Sequence, residues 1–463
     1  VTFQPGSFFI ADLTPTISDH LNVSGTVTVD PNATVIANVL PGQYNVNNIF
    51  TIISAGNPVV GQFQHVVVAN PFFQVDFLYN QVPPGSVQVN LNIRNFSEVI
   101  QGGNAGAIST CITQENMIAN SDLEDLVSDI IFFPVGEVID ILNEMQPSQL
   151  RGLTLAEQEN SLFAQATFNS RMAEFSKSTC EREIALSHPL NFWFNFAGMN
   201  NEQRSHHHNV GFRAPTATFT VGFDGKISHK LFIGLGLEYG HTWLHYKENQ
   251  GSSRINRGSV GPYISYAGKW LYVNFSTLGS IAHFDTHRHI PFFDETAKSR
   301  HHSKSLLPHL ETGILFHPAP RVTLSPFAVV DYIWGWENGF SEKGAQVLNF
   351  KIASSKSHML RTEAGLRISK CAIRSHSKWV HDLKASWVRE MRFEGKHLKA
   401  TFEEFPCSFT VSGLFPTRNL LDVGMGLAYL FKHDRFAATL RYEGLFGEGV
   451  TIQSGTAQLS TKF

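Results

Sequence analysis

Twenty-one histidines in 463 residues are the first place to look for chemistry, because imidazole titrates near neutral pH and ligates metals. They gather at His206-His207-His208 and at His283, His287, His289, His301 and His302. No regular spacing ties them into a ligand set of defined geometry, so solvated loop positions are the plainer reading and no metal site is expected. Ser18-Asp19-His20 holds the residue types of a hydrolytic triad, but three consecutive residues in a turn-like stretch do not make one. The chain has no G-x-S-x-G, no H-E-x-x-H and no G-x-x-x-x-G-K-[ST], so no catalytic residue and no cofactor is expected. Cys111, Cys180, Cys371 and Cys407 are far apart, without a C-x-x-C pair, which excludes zinc ribbons and thioredoxin-like motifs.

Whatever these side chains do depends on the elements that hold them. The formal charge of −3 and pI near 6.7 exclude a generally basic nucleic-acid binder. Charged residues make up 16% and aromatics 12%, against roughly 25% charged in an ordinary soluble chain. The strongest apolar run, Ile130 to Val135, is short and interrupted by Pro134, whereas a membrane helix needs about 20 apolar residues. That leaves an all-β soluble protein or a membrane β-barrel.

From residue 189 onward, long runs alternate strictly. Leu231, Ile233, Leu235, Leu237, Tyr239 and Trp243 share one face, and Gly234, Gly236, Glu238, Gly240 and Thr242 the other. Val423, Met425, Leu427, Tyr429 and Phe431 oppose Asp422, Gly424, Gly426 and Ala428 in the same way. Such runs exceed the five or six residues of a typical soluble strand and suit a tilted strand crossing a bilayer. Small and charged residues would line an aqueous interior while the apolar face meets lipid. Strands are expected at 190–197, 212–224, 229–246, 254–267, 269–284, 304–317, 320–335, 356–370, 377–392, 419–431, 434–446 and 450–463. Twelve is an even number, as single-chain bacterial barrels have. Asp224-Gly225-Lys226, Pro318-Ala319-Pro320 and Lys432-His433-Asp434 read as short turns between longer loops, 395–413 reads as part of one long loop, and both histidine groups fall on outer loops. Glu238, Glu311, Asp331, Arg361, Glu363, Arg367, Asp382, Lys384, Arg441 and Glu443 are expected in the lumen, because a charge facing mid-bilayer costs roughly 2–4 kcal/mol.

Two stretches precede the barrel. Residues 1 to about 95 alternate at Leu21, Val23, Val27 and Val29 and again at Val35, Ala37 and Val39, fitting a sandwich or a stacked solenoid. Residues 122–143 show helical spacing at Leu123, Leu126, Val127, Ile130 and Ile131, with Pro134, Pro147 and Gly152 as breaks. Thr154-Leu-Ala-Glu157 reads as a capping box opening a helix to about residue 177. That helix carries Glu157, Gln165, Asn169, Arg171 and Glu174, too polar for lipid but suited to a polar channel.

The order of these parts resembles the autotransporter (type V secretion) family. The last strand, Thr456-Ala-Gln-Leu-Ser-Thr-Lys-Phe463, is similar to the family's terminal strand, and Leu440-Arg-Tyr-Glu-Gly-Leu-Phe-Gly447 to its penultimate one. Upstream, Tyr44, the run Ile49 to Gly56, Gly61-Gln-Phe63, Asp76 to Tyr79 and Val87 to Leu91 resemble the last rungs of a passenger. The resemblance implies a mainly all-β chain in three parts. Residues 1–103 would end a β-solenoid passenger, 104–188 would be a helical linker with a pore helix at about 155–177, and 189–463 a 12-stranded antiparallel transmembrane barrel. It further implies an outer-membrane translocator that lets an N-terminal passenger reach the cell surface and is then plugged by its linker. Phe463 and Leu459 would form the assembly signal read by the barrel assembly machinery. Outer-membrane lipid, periplasmic chaperones and the chain's own passenger would be partners, nucleic acid would not, and the barrel would be monomeric. The start at Val1, without a signal segment, leads us to expect a passenger that continues upstream with any activity it has. Some autotransporters cut themselves at an Asn of the pore helix. Asn169 stands at such a place, but an ordinary helix residue of an uncut chain is the stronger expectation. The alternatives are a porin-like passive channel or a surface adhesin with an extracellular β domain.

Overall fold

A computed structural model describes residues 1–44, 48–176, 190–374, 377–431 and 436–462. The chain forms two compact units, one of residues 1–146 with 401–410, the other of 147–400 with 411–463.

In the first unit, strands stack in parallel. Phe8–Leu13 pairs with Thr34–Val39, which pairs with His65–Val68, and Leu21–Val23 pairs with Asn48–Ala55. Alternation sends Ala11, Leu13, Val35, Ala37 and Val39 into a shared interior, as a coil of short parallel strands requires. An antiparallel hairpin, Phe73–Tyr79 with Ser86–Ile93, continues the sheet. Short helices follow. Asn120 caps Ser121–Ile130 by accepting from the Leu123 amide, and Leu123, Leu126, Val127 and Ile130 face inward. Cys111 and Cys407 form a disulfide.

The second unit is a closed antiparallel barrel. Its strands are β1 Leu190–Gln203, β2 Phe212–Ser228, β3 Leu231–Tyr246, β4 Gly251–Ala267, β5 Leu271–Ile290 and β6 Glu295–Ile314. The ring continues with β7 Val322–Glu337, β8 Ser355–Arg374, β9 Ser377–Glu394, β10 Arg418–Phe431, β11 Phe436–Gly447 and β12 Val450–Lys462. Pairing runs around the ring, and β1 closes on β12 with Asn191 opposite Lys462. Closure leaves no unpaired edge, which lipid demands. Leu237, Tyr239, Leu383, Met425 and Leu440 lie exposed on the outer wall.

Twelve strands lie where alternation placed them, but several boundaries differ. Asp224-Gly225-Lys226 is not a turn: β2 runs through it to Ser228, and the chain reverses at His229-Lys230. Pro318 and Ala319 belong to a strand extension, Phe316–Ala319. Lys432-His433-Asp434 lies outside the described residues. The expected long loop between the fifth and sixth strands is absent, because β5 and β6 extend into a tall hairpin turned by Pro291–Phe293 and a left-handed Asp294. Residues 395–413 contain a hairpin, His397–Phe402 with Ser408–Ser412, that joins a small separate sheet and leaves the ring at twelve.

Candidate functional site: the barrel lumen

A helix spanning Arg151–Ser176 occupies the lumen. It starts three residues before the supposed capping box, so Thr154 lies within its first turn. Its hydroxyl donates to Glu337 Oε2 (2.9 Å) rather than capping. Gly152, read as a breaker, sits inside the helix. A Cβ there would meet Phe212 Cδ1 at 3.2 Å and Tyr246 Cε1 at 3.3 Å, so glycine lets the helix approach the wall.

The helix is buried on all sides, which explains its polar composition. Over much of its length it meets a polar wall, where each polar group needs a partner, while Phe163, Phe168 and Phe175 pack on apolar wall residues such as Val388, Leu278 and Phe232. Arg151 donates to Ser355 Oγ (3.0 Å) and lies 3.6 Å from Glu337. Glu159 pairs with Arg392 (2.9 Å) and with Arg418, and both arginines also hold Glu390. Asn160 Nδ2 donates to Thr242, and its carbonyl accepts from Thr216. Gln165 Nε2 donates to Ser276 Oγ (2.6 Å) and Asn169 Oδ1 (2.7 Å).

The tightest anchor is at the end of the barrel with short turns. Arg171 makes a two-pronged contact with Asp224, Nε to Oδ2 at 2.7 Å and Nη2 to Oδ1 at 2.9 Å. It also pairs with Glu174, which accepts from Gln458. Tyr263 and Asn191 donate to the same Asp224 carboxylate, each at 2.8 Å. Above this knot, Phe168 packs edge-on against Trp193 and Tyr263. Glu157 is buried beside the Arg257–Glu238 pair (2.9 Å).

The structure places all ten expected wall charges on inward positions and joins most of them. Glu311 meets Arg367 at 3.3 Å and accepts from Tyr272. Asp331 contacts His309 Nδ1 at 2.6 Å. Lys384 lies among Asp422 (2.6 Å), Glu443 (3.4 Å) and Glu363 (3.5 Å), with Arg361 3.8 Å from Glu363. Arg441 reaches Asp382 at 3.7 Å. Glu238 stands apart with Arg257. A cavity of about 60 Å³ separates this network from the helix at Gln165, Asn169 and Ser170.

Sequence reasoning missed Asp224, Arg257, Glu159, Glu390, Arg392 and Arg418. Thr216, Thr218, Thr220, Gly222 and Asp224 continue one inward face, so extending that alternation two residues further would have found the Asp224 anchor. Leu459 points outward from β12, 49% exposed, and Phe463 lies outside the described residues. The histidines divide differently from expectation. His206, His207 and His208 occupy a loop, but His283, His287 and His302 stand on the outer wall, and His301 is buried between Phe284 and Phe340. Among the described residues no group of three or more His, Cys, Asp or Glu is arranged to hold a metal. Cys180 lies outside the described residues.

This lumen, a ring of twelve strands closed around a polar helix, is that of a translocator barrel. The family model described as Autotransporter beta-domain matches residues 192–443, and the chain belongs to that family. Among solved structures, the translocator domain of autotransporter NalP from Neisseria meningitidis is similar in fold. It is 18% identical over 66% of this chain and 98% of that one, with a TM-score of 0.50. The β-domain of the Bordetella autotransporter Brka (16%, 59% and 100%, 0.47) and the transport unit of autotransporter AIDA-I from Escherichia coli (14%, 59% and 90%, 0.39) also match. No curated protein matches the chain. The protein is therefore an outer-membrane translocator serving a passenger.

Proposed function

We propose that residues 1–103 are the folded end of the exported passenger, that 104–188 link it to the barrel, and that the helix remains in the lumen as a plug once export is complete. In this reading the end of the barrel with long loops faces outward. The helix enters there at Arg151 and descends to Arg171 near the short turns. The observation that carries the plug is the polar match along the helix, with Arg151, Glu159, Asn160, Gln165 and Arg171 each paired to a different part of the wall. The parallel stack of the first unit supports the passenger reading, because short parallel strands coiled around an apolar interior are the build of a solenoid.

We read Asn169 as a residue of an uncut chain. Its side-chain carbonyl is taken by Gln165, and the carboxylates lining the adjacent cavity are each held by a cation or a histidine, as in Glu311–Arg367 and Asp331–His309. That leaves none poised to activate the Asn. Recognition of the Leu459 strand by the barrel assembly machinery, escort by periplasmic chaperones and a monomeric barrel complete the proposal.

Single-channel recording tests the plug. The intact chain should be nearly closed, and deletion of 155–177 should open a large steady conductance. A wide-open intact chain would favour the porin-like alternative.

A further inference from the structure

The outer wall carries a one-sided cationic patch at the height where lipid headgroups begin. Ten residue steps separate Leu271 from Ile281 on β5. At ~3.4 Å per residue and a tilt near 40° they rise about 26 Å, which matches the roughly 25 Å apolar band of such barrels. The next outward residue is His283, stacked on His302 of β6 at 4.5 Å between ring centroids. Lys304, opposite Ile281, and Trp336 beside it mark the same boundary, where aromatic residues sit at headgroup level.

Above that line the outward residues of β4, β5 and β6 include Arg254, Lys298, Arg300 and Lys304 against Asp285, with Asp294 and Glu295 further up at the hairpin tip. Asp285 lies 3.1 Å from Arg300, which remains 79% exposed. Across the barrel the equivalent height is different. Asn200, Glu202, Gln453 and Phe446 face outward there, Arg213 is bound to Asn200, and Lys247 to Glu202. Facing the long-loop end alone, the charge is concentrated on one wall.

We propose that this patch binds the phosphate groups of a phosphorylated glycolipid of the outer leaflet. Clustered Lys and Arg beside a bilayer attract anionic headgroups, and guanidinium matches phosphate geometry. The apolar wall directly below, with Ile281, Leu306 and Leu310 exposed, would hold the acyl chains of the same molecule, which a free phosphate lacks. The inference rests on the outward orientation of the long-loop end, which protease access to the His206 loop in whole cells checks independently.

The test is native mass spectrometry of the full-length protein in detergent with added lipopolysaccharide. The wild type should retain it at least about tenfold more tightly than a variant carrying Arg254→Gln, Lys298→Gln, Arg300→Gln and Lys304→Gln, with the difference shrinking at 1 M salt. Arg213→Gln with Arg389→Gln, the latter on β9 where Arg389 donates to Asn419 Oδ1 (3.1 Å), should bind as the wild type does. If the fourfold variant misfolds, judged by heat-modifiable gel migration, Lys298→Gln with Lys304→Gln is measured instead, and a loss of at least about threefold is expected. Equal binding by the folded variant, equal binding of phosphatidylglycerol by the wild type, or full displacement by millimolar inorganic phosphate would each overturn the proposal. Surface display of the passenger, followed in the same strains, should stay normal in the variants. Loss of display in the unplugged deletion would bear on the translocator reading alone.

Discussion

Ala11, Val35, Ala37 and Ile52 fill the interior of the N-terminal unit, while Arg171, Glu159, Glu390 and Asp224 fill the interior of the barrel. The barrel's outer wall is apolar instead, with Leu237, Leu383 and Leu440 exposed. The first unit follows the usual rule that apolar surface leaves water. The barrel meets hydrocarbon on its outer wall, so its apolar residues turn outward and its charges find one another inside. Burial alone therefore predicts nothing about polarity here. The medium outside decides it.

Arg171→Leu should break the contrast most sharply. It leaves Asp224 and Glu174 buried without their cation, and removing one partner of such a pair costs about 3–5 kcal/mol. Lower thermal stability of the barrel in detergent and raised conductance should follow, and a variant melting like the wild type would remove the anchor role. Leu237→Lys probes the outer wall. On a water-facing surface the change would be nearly silent, but at mid-bilayer it should cost about 2–4 kcal/mol. Equilibrium unfolding from vesicles measures it, and a cost near zero would mean that β3 does not face lipid. Cys111→Ser with Cys407→Ser should destabilise the N-terminal unit by about 2–4 kcal/mol and leave the barrel's melting unchanged, as followed by limited proteolysis.

The smallest effect concerns Tyr44, a polar group in the apolar interior. Its hydroxyl lies 2.6 Å from the Leu13 carbonyl and 2.7 Å from that of Leu40, and burial pushes the phenol up to about 12 from the usual 10. The folded state favours the neutral phenol, so its contribution is complete below pH 10 and is lost as pH rises from about 10 to about 12. Tyr44→Phe should remove that alkaline loss, seen by comparing tyrosinate absorbance and unfolding of the two full-length proteins.

The barrel was legible because alternation over ten or more residues has few explanations. Leu231 to Trp243 alone separates an outward face from an inward one. The ends of elements were less legible. Asp224 reads as a turn residue by type, and only its position on the inward face shows otherwise. Thr154 and Glu157 carry a capping pattern, yet the helix begins earlier because the wall supplies partners to Arg151 that local sequence cannot display. The same holds for Glu159, whose role depends on Arg392 and Arg418, more than 230 positions away. Histidines 283–302 look like loop residues because hydrophilic strands that rise beyond a bilayer lose the apolar half of their pattern.

The bond between Cys111 and Cys407 has a topological result. The first cysteine precedes the pore helix and the second follows nine of the twelve ring strands, so the bridge ties shut a length of chain that runs down the lumen and most of the way around it. A single break anywhere in that length cuts the backbone without dividing the molecule. Scission in the pore helix would then yield two fragments only on a reducing gel, and in an oxidising environment the exported portion would stay attached to the cell by sulfur alone.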